Sequence, residues 1–285
     1  MFEYNGAYNG SEKFSPDNRF AFFNSGAIGW NIANEKWFKP ISEIKLFDRN
    51  LIDILKVRYS YGEIGEDSVW DRFLYQTQWA YGGNTKLDST DPYASSPYTW
   101  YKESKVGNPN IHWEKAVKRN LGIDYSFING IIAGTFEFFH EKRSDIMIAG
   151  SNRAVPQYFG AQAPYMNKGR TKTTGYELEL RLKYTFANGL HAYANMNMTH
   201  AKNLVVEHDD PEYLPNYQKN VGFAIGQAKS YLDNGMANTW DEVIAMTPHN
   251  TNDNQKLPGQ FIITDFNGDG VIDTNDNAPY GYTGI

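Results

Sequence analysis

The sequence predicts an all-β chain, an antiparallel meander of strands joined by turns, on three observations. Apolar and polar residues alternate strictly in several runs of about ten, which is the period of a strand with one apolar and one polar face. Asn-Gly pairs separate successive runs, the signal of a tight hairpin. The composition is rich in aromatics (20 Tyr, 17 Phe, 7 Trp) and carries 25 Gly, which suits many strands and turns rather than helices.

The elements follow in order. "RFAFFNSGAIGWNI" (19–32) and "LKVRYSYG" (55–62) read as strands. "LGIDYSF" (121–127), with Leu121, Ile123, Tyr125 and Phe127 on one side, turns at Asn129-Gly130 into "IIAGTFEFFHEKRSDIMI". The clearest run is "GYELELRLKYTF": Tyr176, Leu178, Leu180, Leu182, Tyr184 and Phe186 alternate with Glu177, Glu179, Arg181, Lys183 and Thr185. It turns at Asn188-Gly189 into "LHAYANMNMTH", where the alternation repeats. About ten residues is also the length that crosses a tilted bilayer. The turns are short on one side, while Gly62–His112 and Lys202–Asn220 are long polar connections on the other. That asymmetry, with aromatics such as Trp30, Tyr184 and Phe186 near strand ends, fits an outer-membrane barrel. Periodicity alone fits a soluble β-sandwich equally well, with its apolar face turned inward.

Near the end, "DFNGDGVIDTND" places oxygen donors at the positions of a twelve-residue calcium loop: Asp265, Asn267, Asp269, the carbonyl of Val271, Asp273 and Asp276, with Gly270 at the sharp turn. Neither flank is helical, so the loop is not an EF-hand, and Asp276 stands where a bidentate Glu is usual. Two expectations follow: a structural Ca²⁺ site of weak affinity, about 0.1 to 1 mM, or a turn whose Asx side chains bond their own backbone.

Composition excludes several functions. The net charge of −6 is wrong for a nucleic-acid partner, which needs a basic face. The absence of cysteine removes thiol catalysis and disulfides. No H-E-x-x-H, G-x-S-x-G or phosphate-loop motif is present, and His140 reads as a strand residue facing water. The chain is therefore expected not to be an enzyme. Met1 leads directly into "FEYNGAYNG", which lacks the basic and apolar segments of a leader. Aromatic faces stack on sugar rings, so Trp70, Trp79, Tyr81 and Trp100 of the long connection are the candidate ligand contacts. Packing within the loop, or contact with a covering protein, competes with that role.

Four stretches shift the balance between barrel and sandwich. "VRYSYGEIG", "NPNIHWEKAVKRNLGIDYSFING", "MNKGRTKTTGYELEL" and "PGQFIITDFNGDGVIDTND" occur in this order and together resemble the SusC/RagA family of TonB-linked outer-membrane proteins. "YNGAYNGSEKFSPDNRFAFFNSGAIGWNIANEKW" is similar to a strand, loop and strand of that family. Glu66 stands where the family usually has Asn, and Gln260 where Asp is common. The resemblance implies that residues 1–285 are part of a transmembrane β-barrel with long extracellular loops, some eight to ten strands, without the plug and the remaining strands. It implies a Gram-negative, Bacteroidetes-like outer membrane, import of oligosaccharides or peptides, a SusD-like surface lipoprotein, and a TonB complex acting through the missing plug. The alternative is a soluble, calcium-stabilised β-sandwich that binds carbohydrate or serves adhesion.

Overall fold

The computed structural model describes residues 1–46, 49–67, 71–84, 99–153, 158 and 162–281. In chain order the elements are β1 (Phe2–Gly10), β2 (Phe20–Asn31), α1 (Lys39–Ser42), β3 (Lys45–Leu46), β4 (Arg49–Asn50), β5 (Ile52–Glu66), β6 (Gln78–Asn84), β7 (Thr99–Lys105), β8 (Glu114–Phe127), β9 (Ile132–Ile148), β10 (Met166–Thr185) and β11 (His191–Glu207). Beyond them come β12 (Lys229–Ser230), β13 (Asp233–Met236), α2 (Trp240–Ala245), β14 (Phe261–Ile263) and β15 (Ala278–Pro279). No described helix is long and apolar enough to cross a membrane.

Seven strands form one antiparallel sheet in the order β1-β2-β5-β8-β9-β10-β11. Each strand therefore lies beside its nearest predecessor in the sheet, an up-and-down meander. The register aligns like with like across it. Trp30, Val57, Ile123, Phe136, Leu178 and Met198 lie directly opposite one another from β2 to β11. One residue along, Gly29, Arg58, Gly122, Glu137, Glu177 and Thr199 make the next rung. The rung after that is Ile28, Tyr59, Leu121, Phe138, Tyr176 and His200. Directly opposed residues share a face and successive residues do not, so one face is apolar over the whole sheet and the other is polar.

The polar face is knitted by charge. Arg58 sits between Asp124, at 3.4 Å, and Glu137, whose carboxylate it contacts closely. Asn120 donates to Glu137 at 2.6 Å and Thr135 to Asp124 at 3.2 Å. On the apolar face Leu121, Phe138 and Met198 are each nearly half exposed. From Tyr176 to Tyr184 this band runs nine residues, about 26 Å along the strand at a rise of about 3.3 Å, the length that a tilted strand needs to cross a bilayer. It ends at a rung of Tyr61, Arg119, His140, Thr174 and Lys202. His140 belongs to that polar rim, with Nδ1 2.8 Å from Thr174 Oγ1.

Several expectations change. The seven strands lie in one layer with apolar side chains exposed along one face, as in a barrel wall. The membrane sheet has seven strands rather than eight to ten, because Asp210–Ile285 forms a separate compact unit; that polar stretch offers no alternating run to extend the sheet. The strands are also longer than about ten residues: β10 has 20 and β11 has 17. They run past the apolar belt as paired ladders whose outer rungs carry charge, so β5 continues to Glu66 and β11 to Glu207, where long connections had been expected.

The connections are unequal. At one end 128–131 and 186–190 are tight turns; Ile128, Asn129 and Gly130 all adopt positive φ there, with the Gly130 amide bonded to Asp53 at 3.1 Å. At the other end lie 11–19, 67–113 and 149–165. The exception at the short-turn end is 32–51, which carries α1, β3 and β4. Leu180→Arg, at the middle of the belt, is expected to destabilise the bilayer-inserted protein by about 2 to 4 kcal/mol. Arg181→Gln on the opposite face should change stability by less than about 0.5 kcal/mol; denaturant unfolding from lipid measures both.

Candidate functional site

Two candidate sites were legible in the sequence, the aromatic connection and the acidic loop, and the structure treats them differently. The long-connection end is held by a small apolar core that the sequence reading did not single out. Phe14, Leu74 and Ile111 are almost fully buried, with Trp113, Met147 and Tyr165 packed around them. Phe14 and Trp113 are 5.4 Å apart between ring centres, and the Trp113 indole donates to the Arg19 carbonyl at 3.1 Å. Asn167 locks the ends together: it accepts from the His112 amide at 3.1 Å and donates to the His112 and Asp145 carbonyls at 2.8 and 2.7 Å. Asn108 donates to the Tyr165 carbonyl at 2.7 Å. The Asn-Pro-Asn and Met-Asn-Lys-Gly stretches are thus two halves of one clamp, a signal visible only once the strands are paired.

From this clamp rises the β6–β7 hairpin. Tyr81 pairs with Tyr101 and Trp79 with Glu103, so Trp79, Tyr81 and Tyr101 share one face. Tyr81 and Tyr101 meet edge to face at 6.1 Å. All three are more than half exposed. Trp100 alternates to the opposite face, where its ring lies so close over Gly82 that a Cβ there would collide with it. The structure therefore brings Trp79 and Tyr81 together, adds Tyr101, and separates Trp100; Trp70 lies outside the described residues. Beside the hairpin lies a small cavity lined by Leu74, Gln76, Gln78, Lys105, Gln162 and Tyr165. Lys105 binds Asp71 there, and that hydrogen bond raises the ammonium above its ordinary pKa.

The acidic loop belongs to the second unit. Its small core is Ala237, Val243 and Met246 with Ile262 against them, and α2 opens with a reciprocal Thr239–Glu242 cap. Gly268 and Gly270 take φ of 74° and 86°, where a side chain would be strained. Asp265 accepts from the amides of Gly268 at 2.7 Å and Gly270 at 2.8 Å. Asp269 accepts from Val271 at 2.9 Å and Asp273 from Asn275 at 2.7 Å. Asp276, fully buried, accepts from Phe266 and from Asp273, both at 2.8 Å. The six donors lie on one turn, but the carboxylates are turned to their own backbone. Among the described residues no three His, Asp or Glu side chains converge enough to hold a metal ion.

Burial alone would raise the Asp276 carboxyl, but the amides of Asp273, Phe266 and Asn267 outweigh it and hold it below the usual Asp range. Burial and then the charge of Asp276 raise the Tyr217 hydroxyl, which donates to the Asn275 carbonyl at 2.7 Å. A carboxylate depressed in the fold stabilises it above the unfolded pKa of about 3.9. That contribution is lost as pH falls through the lower, folded pKa. The loop is therefore expected to loosen below about pH 4, with Tyr217 fluorescence changing there and staying flat from pH 5 to 7. Trp113→Ala is expected to cost about 3 kcal/mol and expose 67–113 to protease, whereas Trp79→Ala should leave the protease pattern unchanged.

Comparison with known proteins places this architecture. The family described as TonB dependent receptor-like, beta-barrel, matches residues 3–270. TonB-dependent receptor SusC of Bacteroides thetaiotaomicron is 26% identical over 98% of this chain, which covers 26% of that protein. TonB-dependent receptor P3 of Formosa agariphila is 25% identical over 99% of the chain and 27% of its own length. The RagAB peptide importer superposes in its "closed-closed" state with a TM-score of 0.67 at 17% identity, over 98% of this chain and 28% of the other. In its "open-open" state the TM-score is 0.66. The chain spans about a quarter of the length of these relatives.

Proposed function

Because this chain belongs to the TonB-dependent receptor β-barrel family, of SusC/RagA type, whose members are transporters rather than enzymes, we propose that it forms part of the wall of an active importer in a Gram-negative, Bacteroidetes-like outer membrane. The observation that carries the reading is the two-faced sheet. An unbroken apolar belt on one face suits lipid, and the Arg58–Asp124–Glu137 network on the other suits a hydrated, plugged lumen. Solute passes without bond chemistry. TonB energises passage through a plug outside this chain, and a SusD-like surface lipoprotein covers the long-connection end.

The solute is an oligosaccharide or a peptide. Trp79 and Tyr81, with Tyr101 beside them, offer rigid exposed rings on which a sugar ring or an aromatic side chain would stack. Trp100 supports the hairpin through its packing on Gly82. In the intact receptor Trp79→Ala with Tyr81→Ala is expected to weaken ligand binding by about tenfold, from stacking of about 0.5 to 1.5 kcal/mol per ring. Isothermal titration with oligosaccharide and oligopeptide libraries separates the two solute classes. Unchanged binding of both would remove the hairpin from the ligand path.

The acidic loop is proposed as an extracellular brace that its own backbone bonds hold closed and that Ca²⁺ tightens. Asp265, Asn267, Asp269, Val271, Asp273 and Asp276 supply the oxygens, in calcium order. Millimolar Ca²⁺ is expected to slow proteolysis of 265–276 relative to chelator, and Asp265→Ala or Asp269→Ala should abolish that difference while the sheet stays folded. Equal cleavage with and without Ca²⁺ would leave the loop as a self-sufficient turn.

A further inference from the structure

The connection 32–51 breaks the rule that one end of the sheet has only tight turns, and its chemistry is unlike that of a solvated loop. Trp37, Ile41, Ile44 and Leu46 are exposed at 61%, 46%, 51% and 40%. Lys36, Lys39, Lys45 and Arg49 are interleaved with them, against Glu35, Glu43 and Asp48, which leaves one net positive charge. Glu35 is engaged by the Trp30 indole, which donates to its Oε1 at 2.8 Å.

Two contacts decide which side of the sheet this segment occupies. Trp37 packs on Trp30 with ring centres 6.4 Å apart, and Trp30 belongs to the apolar rung of Val57 and Ile123. At the far end of the segment the Arg49 guanidinium lies 5.8 Å from the centre of the Tyr184 ring. Tyr184 continues the apolar row of Leu180 and Leu182 on β10. Both anchors are therefore on the lipid-facing side, each the penultimate residue of its strand at the short-turn end. Exposed apolar side chains continuous with a lipid-facing belt, with cations between them, have the composition of a segment lying in the headgroup layer.

We infer that residues 36–46, with Arg49, form an interfacial anchor at the short-turn end, seating Trp37, Ile41 and Ile44 at the acyl boundary and offering Lys36, Lys39, Lys45 and Arg49 to anionic phospholipid headgroups. The inference rests on the barrel reading of the sheet and goes beyond it by assigning one connection a lipid ligand. Each cation near an anionic surface favours it by about fivefold, so the segment would concentrate acidic lipid around this arc of the wall.

The test uses the intact receptor in nanodiscs of phosphatidylcholine with phosphatidylglycerol. These 285 residues hold no cysteine, and with any cysteine elsewhere in the receptor replaced by Ser, single nitroxide labels at Ile44→Cys, Leu180→Cys and Tyr101→Cys report depth through their relative collision rates with oxygen and a water-soluble nickel chelate. The expected order is Leu180 deep in lipid, Ile44 at the interface and Tyr101 in water. Ile44 as water-accessible as Tyr101, or shielded from both probes by protein, overturns the anchor while Leu180 in lipid preserves the barrel. Leu180 in water overturns the barrel itself. Converting Lys36, Lys39 and Lys45 to Gln is expected to lower phosphatidylglycerol retention by about fivefold or more, with Lys102→Gln as the control; equal retention would overturn the headgroup assignment.

Discussion

Inside a bilayer no water is present to receive an unpaired amide or carbonyl, and each unsatisfied group there costs several kcal/mol. Everything in the sheet answers to that constraint. The ladder from β1 to β11 is continuous, and its register holds through the belt, shifting near strand ends at Gly169, Arg170 and Ile52. Because the register holds, one alternation in each strand becomes one apolar face across six strands. A one-residue slip anywhere would carry Glu137 or Arg58 into the belt and Phe136 out of it.

The same constraint explains where the protein's own core lies. A barrel wall needs no packed interior on its lipid side, so its large apolar residues stay exposed within the chain. The tight packing is found instead at the long-connection end, around Phe14, Leu74 and Ile111. There the backbone leaves the ladder and must be ordered by side chains. Asn167 and Trp113 do this work by tying three connections to one point. Such a clamp ties down the base of the β6–β7 hairpin, where the Asn108 amide donates to the Leu74 carbonyl at 2.9 Å and the Gly107 amide to Thr77 Oγ1 at 3.2 Å.

The two ends of the sheet solve different problems with related residues. At the long-connection end Phe14 and Trp113 pack in the clamp, while Trp79, Tyr81 and Tyr101 are displayed on the hairpin. At the short-turn end Trp30 and Tyr184 are each the penultimate residue of a strand, with Trp37 packed on Trp30, and amphipathic rings suit a membrane interface. Cations complete the pattern at both rims: Arg119 over Tyr61 on one side and Arg49 over Tyr184 on the other. The sheet thus has a defined height set by its side chains and not merely by its length.

The strands, their faces and the hairpin turns were legible in the sequence because each is written locally: "GYELELRLKYTF" states its two faces in its own alternation, and Asn129-Gly130 states its turn. The acidic loop was legible for the same reason, and its Asx bonds are those its spacing allows. What alternation cannot say is what covers the apolar face, since lipid and a second sheet ask for the same pattern. The pairing of seven strands in one layer, with that face exposed, and the barrel family that the chain matches decided that together. Nor could the sequence place Trp100 opposite Trp79 and Tyr81, or join His112 to Asn167, because these depend on register between segments far apart in the chain. Local period determined the faces; long-range hydrogen bonding, which must close every ladder before any side chain finds its neighbour, decided what those faces meet.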